Sequence, residues 1–86
     1  MYEVAFTPRA DRLFAKLPQD VQRRVIRALE ELSVNPLPKG VKKLAGLEET
    51  LWRIRVGNYR IVYSIRKKQL LILVVAVGHR SNIYLQ

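Results

Sequence analysis

The stretch Leu51-Trp52-Arg53-Ile54-Arg55-Val56-Gly57-Asn58-Tyr59-Arg60-Ile61-Val62-Tyr63 decides how this chain folds. On either side of Gly57-Asn58, apolar and other residues alternate with period two, the pattern of two strands, and Gly-Asn is a two-residue hairpin loop. Such a loop pairs Val56 with Tyr59, Arg55 with Arg60, Ile54 with Ile61, Arg53 with Val62 and Trp52 with Tyr63. Trp52, Ile54, Val56, Tyr59, Ile61 and Tyr63 then share one apolar face, which leaves Arg53, Arg55 and Arg60 together on the other. Arg55 and Arg60 become direct cross-strand neighbours. Like charges in that position destabilise a sheet, so the arrangement makes more sense if a multiply charged anion, phosphate above all, bridges them. The alternative is that both guanidinium groups splay into water at a cost of a few tenths of a kcal/mol.

Beyond a turn around Lys67-Lys68, the run Leu70 to Val77 is apolar on both faces, as expected for a central strand covered on both sides. The first strand of the chain is its expected second neighbour. Leu71, Leu73, Val75 and Val77 then form the apolar wall of a concavity rimmed by Arg53, Arg55 and Arg60. Strict alternation carries His79 to the arginine face and Arg80 to the core face. A buried unpaired guanidinium is too costly, so the strand is expected to break at Gly78, with a bulge or turn that re-aims both side chains. Without a ligand, His79 reads as a surface histidine and Tyr84 as a residue that packs the tail down.

Toward the N-terminus, Tyr2, Val4 and Phe6 alternate as a short first strand. Thr7 stands where a helix N-cap belongs and Pro8 at the first helical position. Ala10, Leu13, Phe14 and Leu17 make one apolar stripe; after Pro18, Val21, Val25, Leu29 and Leu32 make a second. Two helices therefore form a hairpin. Asn35-Pro36 ends the second, and residues 36–50 form a long connection, anchored by Leu44 and Leu47. The fold class is α+β, a single domain over residues 1–86 in the order β-α-α-β-β-β, with an antiparallel meander sheet and the N-terminal helix hairpin packed on one face.

Composition sets the limits of function. The 86 residues carry 16 Lys and Arg against 7 Asp and Glu, a net charge of +9 that calls for an acidic partner. All seven acids lie before residue 51, whereas Arg53, Arg55, Arg60, Arg66, Lys67, Lys68 and Arg80 follow with no acid among them. A third of the chain with a single sign reads as a binding face. The absence of Cys removes disulfides and thiol chemistry. The N-terminus lacks the pattern of a signal peptide, and no apolar run approaches the ~20 residues that span a bilayer, so a cytoplasmic protein away from the membrane is expected.

Lys43-Leu44-Ala45-Gly46-Leu47, Leu51-Trp52-Arg53-Ile54-Arg55, Gly57-Asn58-Tyr59-Arg60-Ile61-Val62-Tyr63 and Val77-Gly78-His79-Arg80 followed by Tyr84 closely resemble, in that order, the RelE family of the RelE/ParE toxin superfamily. The resemblance covers nearly the whole chain. It implies the toxin of a type II toxin–antitoxin pair, a metal-independent, cofactor-free endoribonuclease that enters the ribosomal A site and cuts mRNA, inhibiting translation. In that family the 2′-hydroxyl attacks the adjacent phosphate. Carried over by position, Arg53 and Arg55 hold the basic places of the strand before the hairpin, Arg60 the phosphate-binding place after it, Arg80 the arginine beyond the last strand, and Tyr84 the tyrosine of the tail.

Guanidinium groups gathered at a phosphorane stabilise charge that grows in the transition state, and Tyr84 can stack on a base. The family often has lysines where Arg53 and Arg55 stand. Arginine is a poor general base at neutral pH, so His79 is offered as an acid or base, with Arg53, Tyr84 or a ribosomal RNA group as alternatives. The implied partners are a RelB-like antitoxin, the ribosome and mRNA. Two other functions remain open: a ParE-like inhibitor that binds DNA gyrase, and a non-catalytic nucleic-acid-binding module.

Overall fold

The computed structural model describes residues 1–44 and 49–79. The elements run β1 (Glu3–Phe6), α1 (Pro8–Ala15), α2 (Gln19–Val34), β2 (Lys42–Leu44), β3 (Leu51–Val56), β4 (Tyr59–Arg66) and β5 (Leu71–His79). The strands form one sheet in the order β1-β5-β4-β3-β2. Thr7 caps α1 as expected: its hydroxyl accepts the Ala10 N–H at 3.1 Å, with Pro8 following at the first helical position. Gln22 donates from Nε2 to the Phe14 carbonyl at 3.0 Å, tying the end of α1 to α2.

The expected meander is present, but two features depart from a purely antiparallel β-α-α-β-β-β plan. A three-residue strand, β2, lies within the long connection and pairs with β3. β1 joins β5 in parallel. The chain crosses to the far edge of the sheet after α2 and returns one strand at a time, so its last strand reaches β1 running in the same direction. Among the described residues, no helix is long and apolar enough to cross a membrane.

One face of the sheet packs on the helices. Val21, Val25, Leu29 and Leu32 of α2 and Ala10 of α1 are buried against Ile61, Tyr63, Ile72, Val74 and Val77, with Trp52, Ile54, Val56 and Tyr59 packed around them. The apolar face derived from the hairpin is therefore the core face. Each aliphatic side chain buried there contributes roughly 1.5–3 kcal/mol relative to exposure. The opposite face is not bare, since Val62, Ser64 and Ala76 are buried on it.

β5 contains an irregularity that alternation alone does not show. Val62 pairs with Ala76 and Tyr63 with Val74, which leaves Val75 as an extra residue in a bulge. The Thr7 N–H donates to the Val74 carbonyl at 2.9 Å and the Thr7 hydroxyl to the Val75 carbonyl at 3.4 Å, so the start of α1 sits against the bulge. The bulge reverses the parity of everything after it. Leu71 and Leu73 lie on the arginine face as expected, but Val77 is fully buried on the helix side. The apolar wall drawn through Val75 and Val77 is corrected accordingly. The strand also continues through His79 instead of breaking at Gly78.

Tyr63 anchors the long connection. Fully buried, it donates its hydroxyl to the Pro36 carbonyl at 2.7 Å, and burial pushes its pKa up to about 12 from an ordinary 10.0. Ionisation of the unfolded chain near pH 10 precedes that of the folded one, so this stabilisation is complete below pH 10 and lost as pH rises through 12. Tyr63→Phe is expected to lower stability at pH 7 by roughly 1 kcal/mol through the lost hydrogen bond. It should also flatten the fall in stability between pH 10 and 12. Urea titrations at about pH 7, 10 and 11.5 check this; an equal alkaline fall in both proteins would show that Tyr63 is not the group responsible.

Candidate nucleic-acid interface

The hairpin registers as derived: Arg55 opposite Arg60, Arg53 opposite Val62, Trp52 opposite Tyr63. Two rows cross the sheet on the face away from the helices. One runs Lys42, Arg53, Val62, Ala76 from β2 to β5; the next runs Arg55, Arg60, Gly78. The turn that sets them is tight. Of its two central residues only Gly57 has a positive φ, 61°, as a type II′ turn needs at its first position.

The rows explain the environment of each cation. Directly opposed residues in an antiparallel pair have Cα atoms roughly 5 Å apart, so Arg55 and Arg60 can reach one anion. Arg53 and Arg60 are half-buried, Arg55 is exposed, and Arg60 Nε is buried. Gly78 places no side chain beside Arg60. Buried Val62 and Ala76 supply an apolar floor of lower polarisability than water, in which a charge-assisted hydrogen bond gains strength. Ser64, whose Oγ is buried without a hydrogen-bond partner among the described residues, lies farther along the same face, opposite Leu73.

Sequence periodicity does not single out Lys42, yet it stands opposite Arg53 in the same row. The available signal is slight: Val41 and Leu44 bracket two lysines after Gly40, and three residues are too few to establish a period. Arg66, counted in the basic excess, has a local counterion, since Glu49 lies 3.7 Å from it. Both side chains are substantially exposed, so the pair adds little stability.

His79 does not join the arginines. It pairs with Tyr59 on the helix side of the sheet, where the two rings meet edge to face with centroids 5.4 Å apart. The physical reason is the Val75 bulge, which changes parity before the strand reaches His79. Arg80 and Tyr84 lie outside the described residues, as do Ala45, Gly46 and Leu47 of the resemblance motif. Among the described residues, no cluster of three or more His, Cys, Asp or Glu side chains is positioned to hold a metal ion. Arg53, Arg55, Arg60 and Lys42 can bind phosphate groups and stabilise developing negative charge.

Residues 4–84 match the profile of a family described as the ParE toxin of the type II toxin–antitoxin system parDE. A RelE-like toxin protein of Escherichia coli is 33% identical over 96% of this chain and 90% of its own length. The toxin RelG of Mycobacterium tuberculosis is 34% identical over 96% and 95%. The chain belongs to the RelE family of the RelE/ParE toxin superfamily of type II toxin–antitoxin systems. Solved structures agree: RelE in the archaeal RelE–RelB complex of Pyrococcus horikoshii superposes with a TM-score of 0.79 at 28% identity, covering 95% of this chain and 98% of that one. The intact RelBE complex of Escherichia coli gives 0.77 at 27% identity, covering 92% and 96%. The five-stranded mixed sheet with two helices is thus the RelE toxin fold.

The opposed arginines make a prediction that is independent of any substrate. Arg55→Gln is expected to stabilise the free toxin at low ionic strength by a few tenths of a kcal/mol, and this gain should vanish in ~1 M NaCl, where the screening length falls to about 3 Å. Thermal melts of both proteins in a monovalent chloride series check it. A change that ignores salt would show that Arg55 and Arg60 do not repel each other.

Proposed function

We propose that this toxin is a ribosome-dependent endoribonuclease that cuts mRNA in the A site and so inhibits translation in the cytoplasm. The observation that carries the reading is the cross-strand pairing of Arg55 with Arg60, with Arg53 and Lys42 in the adjoining row of the same sheet face. Such a face suits a phosphodiester better than a neutral substrate, because an anion between the opposed guanidinium groups offsets their mutual repulsion and accepts charge-assisted hydrogen bonds from both.

In the proposed reaction, the 2′-oxygen of one ribose attacks the adjacent phosphorus while the bond from phosphorus to the 5′-oxygen of the next nucleotide breaks. The products are a 2′,3′-cyclic phosphate and a free 5′-hydroxyl. One proton leaves the 2′-hydroxyl and one reaches the departing 5′-oxygen. Arg60 and Arg80 neutralise the growing charge on the non-bridging oxygens, Arg53 and Arg55 bind the flanking backbone, and Tyr84 stacks on a base to align the attack. The position of His79 on the helix side argues against its acting as the acid or base, which leaves that role to Arg53, Tyr84 or the ribosome.

A second reading has a specific observation in its favour, namely that the matching family profile is named for ParE. In that reading the same fold binds DNA gyrase and needs no cleavage chemistry. For either function, we propose a RelB-like antitoxin as partner, its acidic residues covering the basic face. RelE is found with RelB in the Pyrococcus horikoshii and Escherichia coli complexes.

Primer extension on mRNA from a translation reaction containing the toxin tests the reading. Cuts positioned by codon are expected, and Arg60→Ala and Arg80→Ala should each reduce them on the order of 10²-fold or more while the fold is retained. Intact mRNA together with blocked gyrase supercoiling would establish the second reading instead. Intact mRNA with normal supercoiling would leave only a nucleic-acid-binding module.

A further inference from the structure

On the helix side of the sheet, between α1 and the ends of β4 and β5, lies a cavity of about 260 Å³. Arg9 and Lys16 stand on its α1 side with Leu13 between them, and Tyr59, Val77 and His79 close it from the sheet. Arg9, Leu13 and Lys16 are spaced four and three residues apart, so the helix presents them along one stripe. Among the described residues, none of those lining the cavity is acidic. The perpendicular rings of Tyr59 and His79 offer two aromatic surfaces beside the cations. Cations, aromatic rings and an apolar floor together suit the phosphate and base of a nucleotide, and the volume suits one nucleotide and not a double helix.

The position of the cavity gives it a strand to bind. Tyr59 pairs with His79 and the next residues, Arg60 and Gly78, pair with each other. Successive residues of a strand point to opposite faces. The cavity and the Arg55–Arg60 row are therefore the back and front of the same corner of the sheet, and a single-stranded chain turning round that corner meets both.

We propose that this cavity is a second ribonucleotide-binding site, which holds a nucleotide of the RNA strand whose phosphodiester lies on the arginine face. The proposal rests on the reading of that face as an RNA site. In it, Arg9 and Lys16 bind phosphate, and Tyr59 and His79 pack against the base. His79 thus contributes by binding and not by proton transfer, in keeping with the side of the sheet on which it lies.

The chain has one histidine, so its imidazole signal reports on the cavity without ambiguity. The probe is a trinucleotide of 2′-O-methyl RNA, which binds but cannot undergo attack by its own 2′-oxygen. Titrated into the full-length toxin, it should shift the His79 imidazole resonances in the wild type and in Arg60→Ala. The double variant Arg9→Ala/Lys16→Ala should bind roughly tenfold more weakly. Its salt slope should be smaller by about 0.7, since one of the two phosphates of the probe is no longer neutralised. Its circular dichroism should match the wild type, since both residues are exposed. An unmoved imidazole or an unchanged salt slope would overturn the proposal, as would an equal shift on adding hexaglutamate at the same ionic strength, which would mean that the cavity takes acidic peptide. If mRNA is cut by codon but His79 stays silent, the cavity assignment fails alone. If His79 responds but no mRNA is cut, the nuclease reading fails and the nucleotide site stands.

Discussion

The two-residue turn at Gly57-Asn58 is the constraint on which the site depends. A strand has only two faces, so a turn of fixed length assigns every residue of β3 and β4 to one of them, and a single inserted residue would send the arginines toward the core. Gly57 holds the positive φ that this turn requires. It is also crowded: a Cβ there would lie 3.0 Å from the Arg24 guanidinium of α2. The same alternation that buries Ile54, Ile61 and Tyr63 against α2 therefore gathers Arg53, Arg55 and Arg60 on the far side. Core and binding face are two consequences of one register. Hydrophobic burial holds the cations together although their mutual repulsion opposes it, and this is how a small domain can keep a charge cluster primed for an anion.

The bulge at Val75 modifies that logic at one point. By adding a residue to β5 it buries Val77, fits Ala76 under the basic rows and turns His79 toward Tyr59. Thr7 ties the start of α1 to the same place through the Val74 and Val75 carbonyls. A local break in the ladder thus separates two kinds of chemistry at one corner of the sheet: guanidinium groups on one side, and imidazole and phenol rings beside Arg9 and Lys16 on the other.

Much of this is legible in the residues themselves, wherever the period is strong. Strands β3 and β4 have the limits that alternation indicates, and the α2 stripe of Val21, Val25, Leu29 and Leu32 is the buried stripe. Glycine next to asparagine identifies the turn. Three features are less accessible. β2 is too short to show a period, so Lys42 escapes a reading by alternation. The bulge leaves no mark in a run that is apolar on both faces, because Leu73, Val74, Val75 and Ala76 satisfy either parity. The parallel docking of β1 depends on where the meander ends, a property of the whole topology and not of Glu3–Phe6. Of the residues carried over by resemblance, Arg53, Arg55 and Arg60 share the basic face, while His79, offered for its imidazole, belongs to the opposite one.

A double-mutant cycle on Arg55 and Arg60 tests the central claim most directly, with affinity for a 2′-O-methyl RNA trinucleotide as the readout. If both guanidinium groups grip one phosphate, the losses caused by Arg55→Ala and Arg60→Ala will couple, and the double variant will bind almost as well as the weaker single variant. Losses that add to within about 0.3–0.5 kcal/mol would mean that the two arginines act on separate groups, and the bridged-anion account of this face would be contradicted.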